Sequence, residues 1–316
     1  MTSHVRASAM LAAVILAAGL LVLVAGAGPA GAAFPGSAGD VAFHTTRDGS
    51  FQIYRMGADG FGPTRLSDTA GSKQQPAWSS DGQKIAFVNI QANAEIYMMD
   101  HDGLNEVPLT NDLATDTAPA WFPSGNKIVF QSTREGNTDI YAVTFDASGT
   151  VADTLRLTTH TGGDVRPAVS PDGKKIAFES ARGGGSSEIY VMKANVPEGP
   201  KNRPVRLTDN AFSDTQPDWS PNGKKIVFQS RRTGNEEVFV MNADGTRQQN
   251  LSKNPAEDGD PVFSPDSKRI VFFSSRPIGP VQGDAEIWRM RADGTNPVQL
   301  TDNDALDSAP VWQPIP

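Results

Sequence analysis

The 316-residue chain contains no cysteine, and that absence removes several classes at once. Disulfides, thiolate metal sites and thiol nucleophiles are excluded, so stability must come from the packed core alone. A lipid-anchored export signal is excluded too, because that attachment needs a cysteine beside the cleavage site. Histidine is scarce. Beyond residue 33 there are only His44, His101 and His160, at unlike positions of the pattern described below, so they read as separate, solvated side chains and not as a metal set. Basic residues are outnumbered 28 to 36 by acidic ones, which argues against nucleic acid as a partner, because phosphate binding needs a basic surface. No Gly-x-Ser-x-Gly stretch occurs, so the serine-hydrolase elbow is missing. Gly183–Gly185 falls between strands and not before a helix, so it is no phosphate loop. Nothing in the chain calls for a cofactor.

Long apolar runs are confined to the N-terminus. Arg6 precedes an uncharged apolar run from about Ala9 to Gly26, followed by small residues ending at Ala32-Ala33. Charged, apolar and small segments in that order describe a secretory signal peptide over residues 1–33. Retention as a membrane anchor is the alternative, since the run is nearly long enough to span a bilayer. Cleavage leaves 27 basic and 36 acidic residues, a balance of −9, with no later apolar run of spanning length. A periplasmic or extracellular monomer is expected, large enough for one substantial core.

What fills that length is a repeat. Val41-Ala42-Phe43, Ile85-Ala86-Phe87, Ile128-Val129-Phe130, Ile176-Ala177-Phe178, Ile226-Val227-Phe228 and Ile270-Val271-Phe272 share one form. Each is followed by an apolar–aromatic pair (Ile53-Tyr54, Ile96-Tyr97, Ile140-Tyr141, Ile189-Tyr190, Val238-Phe239, Ile287-Trp288), then by Leu-Thr or Leu-Ser. A proline completes each unit, from Pro76 to Pro310, with a period of about 47 residues. These short segments, rich in β-branched and aromatic residues and separated by Asp-Gly or Asn-Gly turns, are β-strands. Apolar residues at consecutive positions bury both faces of a strand. Four antiparallel strands per unit, stacked face to face, make a propeller blade.

The order of the slots shows how the ring closes. The pattern enters at Asp40–Thr46, a second strand with no first strand before it, and ends at Ser308–Pro316, a first strand with no blade after it. Joining the two predicts an all-β, six-bladed β-propeller closed by its N- and C-terminal strands, over residues 40–316, with residues 34–39 as a short linker. Phrases such as Pro217–Gly245, "PDWSPNGKKIVFQSRRTGNEEVFVMNADG", resemble the WD40-like repeats of the periplasmic TolB family, and the resemblance covers essentially all of Asp40–Pro316. It implies a six-bladed propeller that binds a protein or peptide partner in the cell envelope. No counterpart of the α/β domain that precedes the propeller in that family is expected here, since about six residues separate the expected cleavage site from the first strand.

The candidate site is a set of acids three residues before the repeat prolines: Asp116, Asp164, Asp214, Asp258 and Asp307. Carboxylates gathered at one channel mouth would suit Ca²⁺ or a basic peptide. The competing reading is structural. Arg134, Arg182, Arg232 and Arg276 each follow one of the aspartates by eighteen residues, and ring closure assigns Arg47 to Asp307. In the second blade the acid slot holds Lys73, and eighteen residues on stands Gln91; a joint loss of acid and arginine is what direct ion pairs predict. The tryptophans and tyrosines all occupy repeat slots and are expected to pack between blades. Phe212 and Phe61, near turns, are expected to be exposed. Two insertions, Asn195–Arg203 and Pro277–Asp284, vary the common frame where function is expected to sit. The chain is thus expected to be a non-catalytic scaffold binding at one mouth of the channel; the alternative is a hydrolase or lyase for a sugar or peptide with a divalent metal in the channel.

Overall fold

The structure, a computed structural model, describes residues 34–277 and 284–316. The signal peptide expected over residues 1–33 lies outside the described residues, as does most of the Pro277–Asp284 insertion. Among the described residues there are 24 strands and no helix, arranged as six four-stranded antiparallel sheets. Blade one takes β1 (Ser37–Thr45), β2 (Gln52–Met56) and β3 (Thr64–Arg65), and blade two β4 (Ser72–Trp78), β5 (Lys84–Ile90), β6 (Ala94–Asp100) and β7 (Val107–Pro108). Blade three is β8 (Asp116–Trp121), β9 (Lys127–Ser132), β10 (Asp139–Phe145) and β11 (Val151–Arg156). Blade four is β12 (Asp164–Val169), β13 (Lys175–Ser180), β14 (Glu188–Lys193) and β15 (Val205–Arg206). Blade five is β16 (Asp214–Trp219), β17 (Lys225–Ser230), β18 (Glu237–Asn242) and β19 (Gln249–Asn250). Blade six is β20 (Asp258–Phe263), β21 (Arg269–Ser274), β22 (Glu286–Arg291) and β23 (Val298–Gln299).

The last strand, β24 (Asp307–Ile315), returns to blade one, whose order is β24-β1-β2-β3. Thr45 pairs with Asp307 and Ser37 with Ile315, so the ring is closed by the two ends of the chain. The start of β1 differs from expectation. The strand begins at Ser37, within the span read as a linker. Phe34 is buried in the apolar cluster of blades two and three, while the Gly36 N–H reaches the Pro265 carbonyl of blade six at 3.3 Å. Residues 34–36 therefore bridge blades that are not neighbours in the ring, and apolar burial of Phe34 is the reason they are ordered with the fold.

The second strand of every blade is buried along its middle, and its phenylalanine is the register partner of the third-strand aromatic, as in Phe130↔Tyr141 and Phe272↔Trp288. Trp121 and Trp219 are buried between blades and donate Nε1–H to Ala77 O (2.9 Å) and Ala168 O (3.2 Å) of the preceding blade. The prolines mark a defect built into each first strand. Arg166 and Pro167 together oppose Phe178 alone, a β-bulge, and the same two-residue step occurs in all six blades. At the bulge the residue before proline takes positive φ: Gln75, Ala118, Arg166, Gln216, Asp260 and Ala309, between 50° and 54°. An α-type conformation is unfavourable ahead of proline, and left-handed φ is unfavourable for any residue with a Cβ. That arrangement survives because neighbouring blades supply acceptors to the exposed N–H groups.

Candidate functional site

All five expected ion pairs form. Arg134 Nη2 lies 2.8 Å from Asp116 Oδ2, Arg182 2.6 Å from Asp164, Arg232 2.5 Å from Asp214, Arg276 2.8 Å from Asp258, and Arg47 2.9 Å from Asp307. The aspartate opens the first strand and the arginine follows the second, so antiparallel pairing returns both to one mouth; Asp116, for example, is the register partner of Ser132. The serine is part of the arrangement. Its Oγ accepts from Arg134 Nε at 2.9 Å, and equivalent bonds run from Arg182 to Ser180, Arg232 to Ser230 and Arg47 to Thr45. Burial pushes the Asp116 carboxyl up to about 6, against the opposing pull of the Ser132 hydroxyl and the Arg134 charge. The five aspartates are fully buried, so they present no carboxylate to solvent; only the arginine edges reach it.

Each guanidinium also lies over an aromatic pair. Arg134 is 5.4 Å from the Phe130 ring and 4.7 Å from Tyr141, and Arg276 is 5.5 Å from Phe272 and 5.0 Å from Trp288. The arginine thus ties the first strand to the second and third through charge and ring contact together. The sequence marks these aromatics as packing residues but does not reveal this second role.

Blade two transposes the arrangement. Lys73, in the acid slot, is completely buried, with Nζ bonded to Thr69 O and Thr69 Oγ1, 3.6 Å from Glu106 Oε2 and 6.0 Å from the Phe87 ring. The cation comes from the first strand and the acid from the turn before β7. Burial lowers the Lys73 pKa, opposed by Glu106. Glu198, in the Asn195–Arg203 insertion of blade four, reaches Arg182 in the same way at 2.7 Å, and Gln248 reaches Arg232. Those third-to-fourth-strand turns are not expected at this mouth from strand order; the blades twist enough to bring them there.

The structure adds a second row of buried acids. Glu95, Asp139, Glu188, Glu237 and Glu286, with Gln52 in blade one, open the third strands and are all buried. Each sits immediately before the apolar–aromatic pair, a signal open to inspection. Their partners are the hydroxyls of the Leu-Thr and Leu-Ser dipeptides. Thr110 Oγ1 donates to Glu95 at 2.6 Å and accepts from Ile96 N at 2.9 Å, and Thr208 does the same for Glu188 and Ile189. Asp139 and Glu188 gain an arginine as well, Arg156 at 2.6 Å and Arg206 at 2.8 Å.

One histidine reading is corrected. His44 is buried, not solvated, because its slot, directly after the repeat phenylalanine, faces the bulge of the next blade. Its Nδ1 accepts from Gln75 N at 3.1 Å, which leaves the proton on Nε2, 2.7 Å from Ser308 Oγ. Burial lowers its pKa to about 3. Gln131 fills the same slot in blade three and accepts from Arg166 N at 2.9 Å. Where that slot is apolar (Val88, Phe273), the bulge residue itself substitutes: Gln75 accepts from Ala118 N and Asp260 from Ala309 N. His160 accepts from Gly162 N at 2.9 Å within its mouth loop.

The rim of the mouth is formed by the loops that lead into the first strands. Three of them, at alternate blade junctions, expose a large apolar side chain: Leu113 fully, Phe212 at 48% and Leu306 at 40%. Phe61 is also exposed, but on a third-to-fourth-strand turn. Among the described residues no cluster of His, Asp and Glu is arranged to hold a metal ion, and no helix is long and apolar enough to cross a membrane.

Six blades, a bulged inner strand and a terminal closure define a β-propeller. The chain belongs to the TolB beta propeller domain family, whose pattern matches residues 63–154 and 201–315. It is 41% identical over 51 residues to the Tol-Pal system protein TolB of Desulfosudis oleivorans, a match that spans 16% of this chain and 12% of that protein. It superposes on TolB from Acinetobacter baumannii with a TM-score of 0.74 at 24% identity, covering 87% of this chain and 67% of that one. The putative TolB from Agrobacterium tumefaciens gives 0.64 at 21% identity, covering 88% and 100%. At these identities the structural likeness is one of fold.

Proposed function

We propose that this protein is an exported, non-catalytic scaffold that captures a protein or peptide at the mouth where the Asp–Arg pairs gather. The observation that carries the reading is the trio Leu113, Phe212 and Leu306, exposed on alternate loops of one rim above a layer of ion pairs that immobilises the loop bases. Apolar side chains held on a rigid polar rim are the usual anchors of protein recognition. In this reading the aspartates, Lys73 and the nearly buried Arg182 and Arg276 act by holding the loops, while Arg47, Arg134 and Arg232 offer their exposed edges to the partner. Family membership and the leader-like residues 1–33 support an envelope location, periplasmic or extracellular.

The test is site-specific photo-cross-linking in the cells that make the protein, with the cross-linker placed in turn at residues 113, 212, 306 and 61. One shared protein adduct at the first three positions, absent at residue 61, is expected. Equal labelling at residue 61 would overturn the reading, as would turnover of sugar or peptide substrates by the purified protein with no adduct at any position.

A further inference from the structure

The two rows of buried acids meet at each junction between blades, and their charges are not balanced equally around the ring. At the junctions after blades three and four each acid of the two rows has its own arginine: Asp139 with Arg156 and Asp164 with Arg182, then Glu188 with Arg206 and Asp214 with Arg232, although Arg182 also holds Glu198 and Arg206 the exposed Asp209. After blade one the third-strand slot is neutral Gln52, whose Oε1 accepts from Ser67 at 2.7 Å. After blade six, among the described residues, Arg47 is bonded to Asp307 and Glu286 has no ion-pair partner of its own. There the fourth-strand position that supplies Arg156 and Arg206 holds Gln299. The junctions after blades two and five also hold two acids beside one strand-end arginine, Arg134 and Arg276, but neither borders the seam between the chain ends.

The Glu286 carboxyl is buried and held by neutral donors, the Thr301 hydroxyl and the Asn303 N–H at 2.8 Å. Asn303 Nδ2 reaches on to Asp307 Oδ2 at 2.8 Å, so one amide links both acids. The charged groups around them are Asp302 and Asp304 on the loop, Asp307 on β24 and Arg47 beyond β1. Arg276, on the inner strands of blade six, is committed to Asp258. His44, on β1 and turned towards Gln75 of blade two, stays neutral above about pH 3. Residues 278–283 carry no ionisable side chain.

We infer that this junction is a proton-operated latch: the non-covalent seam between β24 and β1 is tightest when Glu286 is protonated and loosens when it ionises beside Asp307. Geometry and titration agree. Burial, with the charges of Asp307 and Asp302, raises Glu286 from its ordinary 4.5 to about 7. A folded-state pKa above the unfolded one means that the folded protein holds the proton more tightly. The stabilisation is therefore full below about pH 4.5 and is lost as pH rises through 7. Between pH 5 and pH 8 this one group changes the folding equilibrium by roughly 50- to 100-fold.

Glu286→Gln tests this directly, since Gln52 shows that an amide fits the slot. Equilibrium unfolding at pH 5 and pH 8 should show the substituted protein matching wild type at pH 5 and exceeding it at pH 8. At pH 8, β24 amide exchange, corrected for its intrinsic pH dependence, should be slower in the variant. Glu188→Gln, which strips the partner of Arg206, should instead lose stability at pH 8. Parallel pH profiles for wild type and Glu286→Gln, or an equal loss at both pH values, would overturn the latch. If Glu286→Gln does not fold, wild-type exchange decides: corrected rates rising with pH in β24 but not in β12 support the latch, and equal behaviour of the two strands refutes it.

Discussion

Replacing Asp214 by alanine is the sharpest probe of the mouth. Asp214 is fully buried, and its Oδ2 accepts from Arg232 Nη2 at 2.5 Å and from Asn210 Nδ2 at 2.7 Å. Removing one partner of a buried pair costs about 3–5 kcal/mol, mostly because the other charge is left without compensation. Arg232 keeps a fifth of its side chain in solvent and retains Gln248 and Ser230, so the low end, about 3 kcal/mol, applies. For a domain of this size that corresponds to a fall in Tm of roughly 6–12 °C. The decisive variant is Asp214→Ala/Arg232→Met. Methionine keeps contact with the Phe228 and Phe239 rings and abolishes the stranded charge, so the double variant should cost about half as much as Asp214→Ala alone, roughly 1–2 kcal/mol. Thermal unfolding by circular dichroism reads all four proteins, wild type, Asp214→Ala, Arg232→Met and the double variant. A Tm for Asp214→Ala within a degree of wild type, or strictly additive effects in the double variant, would refute the view that the pair is structural.

Deleting Ser308–Pro316 removes nearly all of the ladder to β1 and should abolish cooperative unfolding; a truncated chain that melts like wild type would refute terminal closure. His44 weakens the fold in acid. Its folded pKa of about 3 lies below the ordinary 6.5, so the stability it contributes is complete above pH 6.5 and is lost as pH falls towards 3. His44→Gln, which copies the residue that blade three carries at position 131, should gain urea midpoint relative to wild type as pH falls from 7 to 4.5, and a difference between the two proteins that stays constant over that window would refute the role given to His44.

Much of this was legible in the repeat. The slot order places β24 beside β1 because a chain that opens on a second strand and ends on a first has one way to complete the circle. The constant eighteen-residue interval carries the Asp–Arg pairs because it spans one antiparallel hairpin, in which register follows from counting. What the pattern hides are contacts whose geometry depends on blade twist and on packing across junctions. Glu106 and Glu198 lie on turns that simple alternation sends to the far end, yet they reach the cations of the mouth. Glu286 and its equivalents stand in plain view before the apolar–aromatic pair, but an isolated carboxylate in a strand reads as a solvated edge until the hydroxyl of the following Leu-Thr or Leu-Ser is seen to face it. The role of His44 is hidden for the same reason: only the neighbouring blade's bulge reveals what its ring nitrogen is for.

The closure has a mechanical consequence. Ser37 and Ile315 are paired at one end of the β1–β24 ladder, and the chain leaves both strands there. A pull applied between those two ends would peel the ladder open one bond at a time, not slide it past itself against all its bonds together. Fused to a tether at both ends, the ring should yield at forces far below those needed to unravel any blade stitched by a hairpin.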